Sequence, residues 1–304
     1  MKAHVKSNAI VTTCGNTKIY SPFFRFNMFC TFLTSTIGPV ELEEHYWRTN
    51  NWNKMAVWVH VLLFDVDGTL LHSGGAGRRA LNEAFEEIFG IPEATKEINL
   101  NGLTDAIICK KMFQTHLKRN GTGEEYRGLL RRYVEFLEQA VDESETYTLM
   151  PGISALLEVL SNLPDVLLGL GTGNIELGAR IKLERSGLNR YFSFGGFGCD
   201  AAERASLIEV GFRRGEEAVK TVQPGAKTVR WVIGDTWRDI EAGRACGARV
   251  VGVATGGEDR GTLEKAKPDY IFTNFSEPVQ LISVLEEARV HLMKSNDLVN
   301  YLRS

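Results

Sequence analysis

The sequence predicts an α/β fold, a doubly wound parallel sheet whose strand and helix alternation is interrupted once by a helical insertion. Three observations carry this. Four runs are nearly continuous in apolar residues and end in small or acidic turns: WVHVLLFDV at 58–66, VLLGLGTGN at 166–174, VRWVIGD at 229–235 and ARVVGVATGG at 248–257. Strands buried on both faces read this way, and they are characteristic of parallel sheets. Helical periodicity separates the runs, at 174–186, 203–220 and 236–246, as right-handed crossovers require. The stretch from about 77 to 148 instead offers helices at 77–89, 104–119 and 124–141 and no convincing strand.

PDYIF at 268–272 supplies a fifth strand and 278–293 a closing helix. The expected organisation is therefore an N-terminal extension, 1–56, read as disordered, and a Rossmann-like core formed by 57–75 and 149–290. An α-helical cap domain, 76–148, is inserted in that core, and 291–304 form a C-terminal tail. Gly74, Gly75 and Gly77 on one side of the insertion, and Pro151-Gly152 on the other, are expected to act as joints.

Composition narrows the function classes. A chain of 304 residues, 43% hydrophobic and 24% charged, can bury an ordinary core. A formal charge of −3 provides no basic field for a polyanion, which argues against nucleic acid. No apolar run approaches the length of a membrane-spanning helix, so a soluble protein with no membrane partner is expected. Five cysteines, Cys14, Cys30, Cys109, Cys199 and Cys246, are scattered without a CxxC pair, which points to a reducing, cytoplasmic setting. Residues 1–40 lack Asp and Glu and are rich in Ser, Thr and Asn, so an organellar transit peptide is the alternative. A start at Met55 is a third reading.

Asp65 and Asp67, in VLLFDVDGTLL, fall at the carboxyl end of the first buried strand, where open α/β sheets place ligand crevices. Two carboxylates so close repel unless a cation compensates, and hard oxygen ligands suit Mg²⁺. A lone DxD is usually a solvated turn. The four fixed residues of DxDGT, however, arise by chance at on the order of 10⁻⁵ per position. Asp235 ends another buried strand and could meet the same metal, with Asp239 one helical turn on, either a supporting carboxylate or a helix cap. In GLGTGN, Thr172 can offer a hydroxyl, and Gly173 and Asn174 backbone N–H groups, to an anion.

These residues resemble the haloacid dehalogenase superfamily of phosphohydrolases, particularly its phosphoglycolate phosphatase-like branch with a helical cap, over roughly 57–286. DVDGT at 65–69 is similar to the family's first motif, Thr172 to its second and GDTWRD at 234–239 to its fourth; GLTD at 102–105 is similar to a cap segment. The resemblance implies that Asp65 attacks phosphorus, that Asp67 protonates the leaving oxygen and later activates water, and that Asp65, the Asp67 carbonyl and Asp235 hold Mg²⁺. Crowding of the carboxylates is expected to raise the Asp67 pKa.

The family's third motif, a lysine in a KPxP-like segment, is replaced here by DAAERASL at 200–207. Arg204 stands nearest the expected place and is assigned to the phosphate, with Lys182 in reserve. Thr104, Asp105 and Arg78 are the expected cap residues facing substrate, with Arg79 beside them. The reading is thus an Mg²⁺-dependent phosphoric monoester hydrolase acting on a small phosphorylated metabolite, as monomer or dimer. A sugar phosphomutase and a non-catalytic phospho-ligand sensing module are the alternatives; Thr69 after DG favours the hydrolase.

Overall fold

The computed structural model describes residues 57–303, with side chains to 292, and a separate antiparallel pair, β1 (Thr12–Cys14) and β2 (Thr17–Ile19). The readings of the N-terminal segment otherwise lie outside the described residues.

β3 (Trp58–Phe64) is the centre of a six-stranded parallel sheet. It pairs on one side with β6 (Val166–Gly171) and on the other with β8 (Lys227–Gly234). β7 (Gly195–Gly196) extends the sheet beyond β6, and β9 (Arg249–Val253) and β10 (Tyr270–Phe272) extend it beyond β8. Successive side chains of β3 go to opposite faces. Leu62 and Phe64 pack with Leu156 and Leu160 of α4 (Ile153–Ser161), Leu183 of α5 (Glu176–Glu184) and Leu285 of α9 (Pro278–Arg303). Val59, Val61 and Leu63 pack with Leu207, Ile208 and Phe212 of α6 (Arg204–Val222) and Ala242 of α7 (Trp237–Ala245). Burial on both faces explains why the run is apolar throughout, and strand order reverses around β3, which makes its carboxyl end the switch point of the sheet.

Three departures from expectation concern short or extended elements. β7 is a Gly-Gly pair with no pattern to read; glycine is required because a Cβ at Gly196 would overlap the Leu207 carbonyl where α6 crosses. Two short helices, α4 and α8 (Arg260–Lys265), were not expected, and the closing helix runs on to Arg303. Among the described residues no helix is long and apolar enough to cross a membrane.

The helices α1 (Ala76–Phe89), α2 (Asp105–Met112) and α3 (Gly123–Asp142) gather around a separate cluster that includes Leu81, Phe85, Met112, Phe113, Leu129 and Leu137. α3 starts on a capping box in which Thr122 Oγ1 accepts from Glu125 N at 3.2 Å and Glu125 Oε2 accepts from Thr122 N at 2.7 Å. The helix expected over 104–119 is α2 followed by a wider π turn, Phe113–Leu117. Phe113 in that turn packs edge-on against Phe85, Phe89 and Tyr126, with centroids 5.7, 5.1 and 5.0 Å away. Two short strands, β4 (Leu71–His72) and β5 (Thr148–Leu149), pair antiparallel where the chain leaves and re-enters the sheet region. Gly74 and Gly75 have positive φ in the leaving segment, whereas Gly77 lies within α1 and is no joint.

Gly152 has φ +81° ahead of α4, and a Cβ there would overlap the Phe275 carbonyl. Gly152→Ala is expected to lower stability by about 2 kcal/mol or more, from strain plus the displaced backbone. Urea unfolding checks this; an unchanged midpoint would contradict it.

Candidate active site

The first carboxylates follow directly from the end of β3. The Asp65 N–H donates to the Ile233 carbonyl at 2.9 Å, which extends the β3 and β8 ladder and presents the carboxylate at the carboxyl end of the sheet. The chain then turns sharply: Gly68 adopts φ +82° and its N–H donates to the Leu71 carbonyl at 2.8 Å. Only glycine fits, because a Cβ would collide with the Asp235 carboxylate. Thr69 Oγ1 donates to Asp235 Oδ1 at 3.2 Å, and Gly257 N to Asp235 Oδ2 at 3.3 Å. The residues DGT and the glycine pair after β9 thus form the seat of Asp235.

Carboxylate oxygens of Asp65, Asp235 and Asp239 lie within 4.8 Å of one another, and all three residues are buried. Asp239 is both cap and cluster member: its Oδ2 accepts from Thr236 Oγ1 at 2.6 Å and from Thr236 N at 3.1 Å, closing a capping box on α7. Arg204, the first residue of α6, reaches into the cluster. Its Nη2 lies 2.9 Å from Asp65 Oδ2, its Nε donates to Asp239 Oδ1 at 2.9 Å, and its Nη1 donates to the Gly102 carbonyl at 3.1 Å. The arginine standing where a lysine motif was expected therefore contacts the acidic set directly.

Asp67 faces a different neighbourhood. Its Oδ2 accepts from Asn174 Nδ2 at 2.8 Å and from Lys182 Nζ at 2.6 Å, and the same ammonium donates to Asn174 Oδ1 at 2.7 Å. Asn174 Nδ2 also donates to Thr172 Oγ1 at 2.8 Å. The Asp67 side chain keeps 43% of its surface open.

Environment drives these acids apart. Burial pushes the Asp65 pKa up to about 6, with Asp239 and Asp67 adding repulsion and Arg204 opposing. Asp235 is pushed well above the ordinary range by burial, Asp65 and Asp239. For Asp67 the burial cost is outweighed by the Lys182 ammonium and by hydrogen bonds from Lys182 and Asn174, and its pKa falls. The expectation of a raised Asp67 is thus reversed: burial, with crowding added, acts on Asp65, and a lysine the sequence could not place lies against Asp67.

The loop between α1 and α2 lies over these groups. Thr104 Oγ1 donates to the Ala202 carbonyl at 3.0 Å while capping α2, the Asp105 N–H donates to the Gly173 carbonyl at 2.9 Å, and Asp105 Oδ2 accepts from Ile175 N at 2.8 Å. Arg238 Nη1 donates to the Asn101 carbonyl at 3.1 Å. Gly173 has no room for a side chain against the Leu103 carbonyl. Thr104 and Asp105 are therefore brought to the site. Arg78 is not: its guanidinium donates to the Thr95 carbonyl at 2.7 Å and the Ile98 carbonyl at 3.4 Å. Arg79 likewise serves the Gly74 and Ala140 carbonyls. Arg238 and the glycines at 256 and 257 escaped notice in the sequence; the ATGG run after the fourth strand was the available signal.

The donor set suits a divalent cation. Three buried carboxylates supply hard oxygens, and a single guanidinium does not balance their charge. Fold and site together define an α/β enzyme with an acidic centre at the switch point of its sheet. A profile of the family described as haloacid dehalogenase-like hydrolase matches residues 62–253, and the chain belongs to that family. Among curated relatives, the phosphoglycolate phosphatase of Pasteurella multocida is 27% identical over 241 residues, covering 73% of this chain and 96% of its own. That of Synechococcus elongatus is 27% identical over 228 residues, covering 75% and 99%. In solved structures, a predicted phosphoglycolate phosphatase from Haemophilus somnus superposes with a TM-score of 0.55 at 20% identity, over 74% of this chain and 98% of its own. A hydrolase from Pseudomonas syringae gives 0.54 at 24%, over 77% and 99%. These two likenesses establish the fold.

Asp105 is buried, and its pKa is pushed up to about 6, chiefly by burial, with Lys182 opposing. A raised acid stabilises the fold fully below its unfolded pKa, and the stability is lost as pH rises through about 6. Asp105→Asn is expected to lower stability at pH 4 relative to pH 8 by about 2 kcal/mol compared with wild type. Urea unfolding at the two pH values reads it; an unaltered difference would refute the assignment.

Proposed function

We propose that the protein hydrolyses a small phosphate monoester with Asp65 as nucleophile and Mg²⁺ as cofactor. The observation that carries the reading is the placing of Asp65 and Asp67 at the end of β3, with Asp235 and Arg204 in contact range of the same point. Asp65 attacks phosphorus in line, the P–O bond to the leaving group breaks, and the leaving oxygen takes a proton from Asp67. Asp67 then removes a proton from water, whose oxygen attacks the aspartyl-phosphate and restores Asp65 with release of phosphate. A phosphate dianion beside Asp67 raises its proton affinity, which suits the acid half, while the Lys182 ammonium favours the ionised form needed for the base half.

Asp65, Asp235 and the Asp67 carbonyl would hold the cation, with Asp239 supporting through Arg204. The cation, when bound, neutralises charge that develops on the transferred phosphoryl group. Arg204 holds a second positive charge in place, and Thr172 and the N–H groups of Gly173 and Asn174 are the other phosphate ligands in this reading.

The helical segment 76–148 acts as a cap over a core of 57–75 and 149–290, and 291–303, expected as a tail, continue helix α9. In the structure the 101–105 loop bridges to Ala202, Gly173 and Arg204, so substrate entry requires that loop to lift. Thr104 and Asp105 are then the side chains nearest a leaving group. The relatives' names make a carboxylate-bearing ester such as phosphoglycolate the first substrate to test. Cys109, Cys199 and Cys246 are unpaired, in keeping with a cytoplasmic setting.

Purified protein with Mg²⁺ is expected to hydrolyse an aryl phosphate, and EDTA to abolish turnover reversibly. Asp65→Asn should remove activity, and comparable rates in that variant would eliminate the nucleophile. Arg204→Ala should lower kcat by about 10²–10³-fold, as loss of a fixed charge at the transferring group does. Dependence on an added sugar bisphosphate would favour a mutase instead, and stable phosphorylation without release a sensing module.

A further inference from the structure

Lys182 is a lysine on the buried face of α5, beside Gly178, Ala179 and Leu183. Only 6% of its side chain is exposed. An ammonium in such a place is costly unless fully partnered, so its contacts need a reason. Its tip lies close to α1 and α3: a Cβ at Gly77 would stand 3.4 Å from Lys182 Nζ and 3.6 Å from the Tyr133 hydroxyl, ordinary contact distances. The stem is therefore enclosed by α1, α3 and α5, and the Tyr147 hydroxyl donates to the Lys182 carbonyl at 2.8 Å, fixing the helix that carries it.

Its two partners are a carboxylate and an amide. Lys182 Nζ donates to Asp67 Oδ2 at 2.6 Å and to Asn174 Oδ1 at 2.7 Å, and Asn174 Nδ2 closes the triangle on the same Asp67 oxygen at 2.8 Å. Two donors thus converge on Oδ2, which fixes the rotamer of a side chain that is otherwise 43% exposed and leaves Oδ1 outside the triangle. Arg204, in contrast, is committed to Asp65 and Asp239. The two cations of the site are divided between the two aspartates of DVDGT.

We propose that Lys182 is a positioning residue that acts through Asp67, clamping one carboxylate oxygen together with Asn174 so that the other faces the leaving group, and that it is not a phosphate ligand. This rests on the phosphatase reading for its catalytic consequence, but the clamp itself does not.

The test compares wild type, Lys182→Met, Lys182→Gln, Asp67→Ala and the double variant Asp67→Ala/Lys182→Met. Two esters are used, an aryl phosphate whose phenol leaves without a proton and an alkyl phosphate whose alcohol needs one. kcat/KM reports the step in which the leaving group departs. Lys182→Met is expected to lose about 10²-fold on the alkyl ester and about tenfold less on the aryl ester, as loss of a general acid does. Lys182→Gln, which keeps a donor without the charge, should fall between it and wild type. In the Asp67→Ala background the lysine substitution should change kcat/KM by less than about twofold, since a residue acting through another loses its effect with it. Equal losses on both esters, a raised KM and additive effects would show that Lys182 binds phosphate and would overturn the proposal. Urea midpoints of the same variants read the clamp in inactive protein: the double variant should be destabilised by less than the sum of the singles, and additive shifts would refute the contact. Asp65→Asn with wild-type rates would sink the phosphatase reading while leaving that stability cycle to decide the clamp.

Discussion

Like charge held at close range governs this molecule. Asp65, Asp235 and Asp239 place carboxylate oxygens within 4.8 Å of each other in a buried setting. At that spacing each ionised pair repels by roughly 3 kcal/mol with an effective dielectric near 20. Arg204 offsets part of this by contacting two of the three, and burial, with the remaining repulsion added, raises the proton affinity of Asp65 and Asp235. A site in this condition has a standing demand for positive charge, which a proton or a divalent cation can meet.

The fold supplies the force that keeps the charges together. β3 is buried on both faces and hydrogen-bonded on both edges, so the turn after it cannot relax outward without unpairing the centre of the sheet. Glycines at 68 and 256 bring backbone directly against Asp235, and Thr69 and Gly257 satisfy its oxygens. Hydrophobic burial, on the order of 25 cal/mol per Å² of apolar surface, thus outweighs a local electrostatic cost.

The helices inserted after β3 have their own apolar cluster, yet the loop joining α1 to α2 gives its backbone to the sheet side of the site. Carbonyls of Asn101 and Gly102 and the N–H of Asp105 are paired with Arg238, Arg204 and Gly173. Polar backbone that is paired across a boundary can be re-paired with water, whereas the apolar cluster cannot open cheaply.

How far the sequence determined this protein can be argued residue by residue. Strand and helix alternation, the central place of the 58–66 run and the convergence of Asp65 and Asp235 follow from buried-strand patterning and from the rule that crevices form at carboxyl ends of parallel strands. Arg204 was reached by its place in the order of motifs. β7 escaped because a Gly-Gly strand carries no periodicity, and the α4 and α8 helices because short apolar runs between turns are ambiguous. Tertiary structure alone decided that Lys182 meets Asp67, that Arg78 turns to Thr95 and that Asp67 and Asp65 shift in opposite directions. The reason is one of range: hydrophobic pattern and turn chemistry are local and are written in consecutive residues. Which cation neutralises which carboxylate depends on a few ångströms between segments more than a hundred residues apart, set only when the helices have packed.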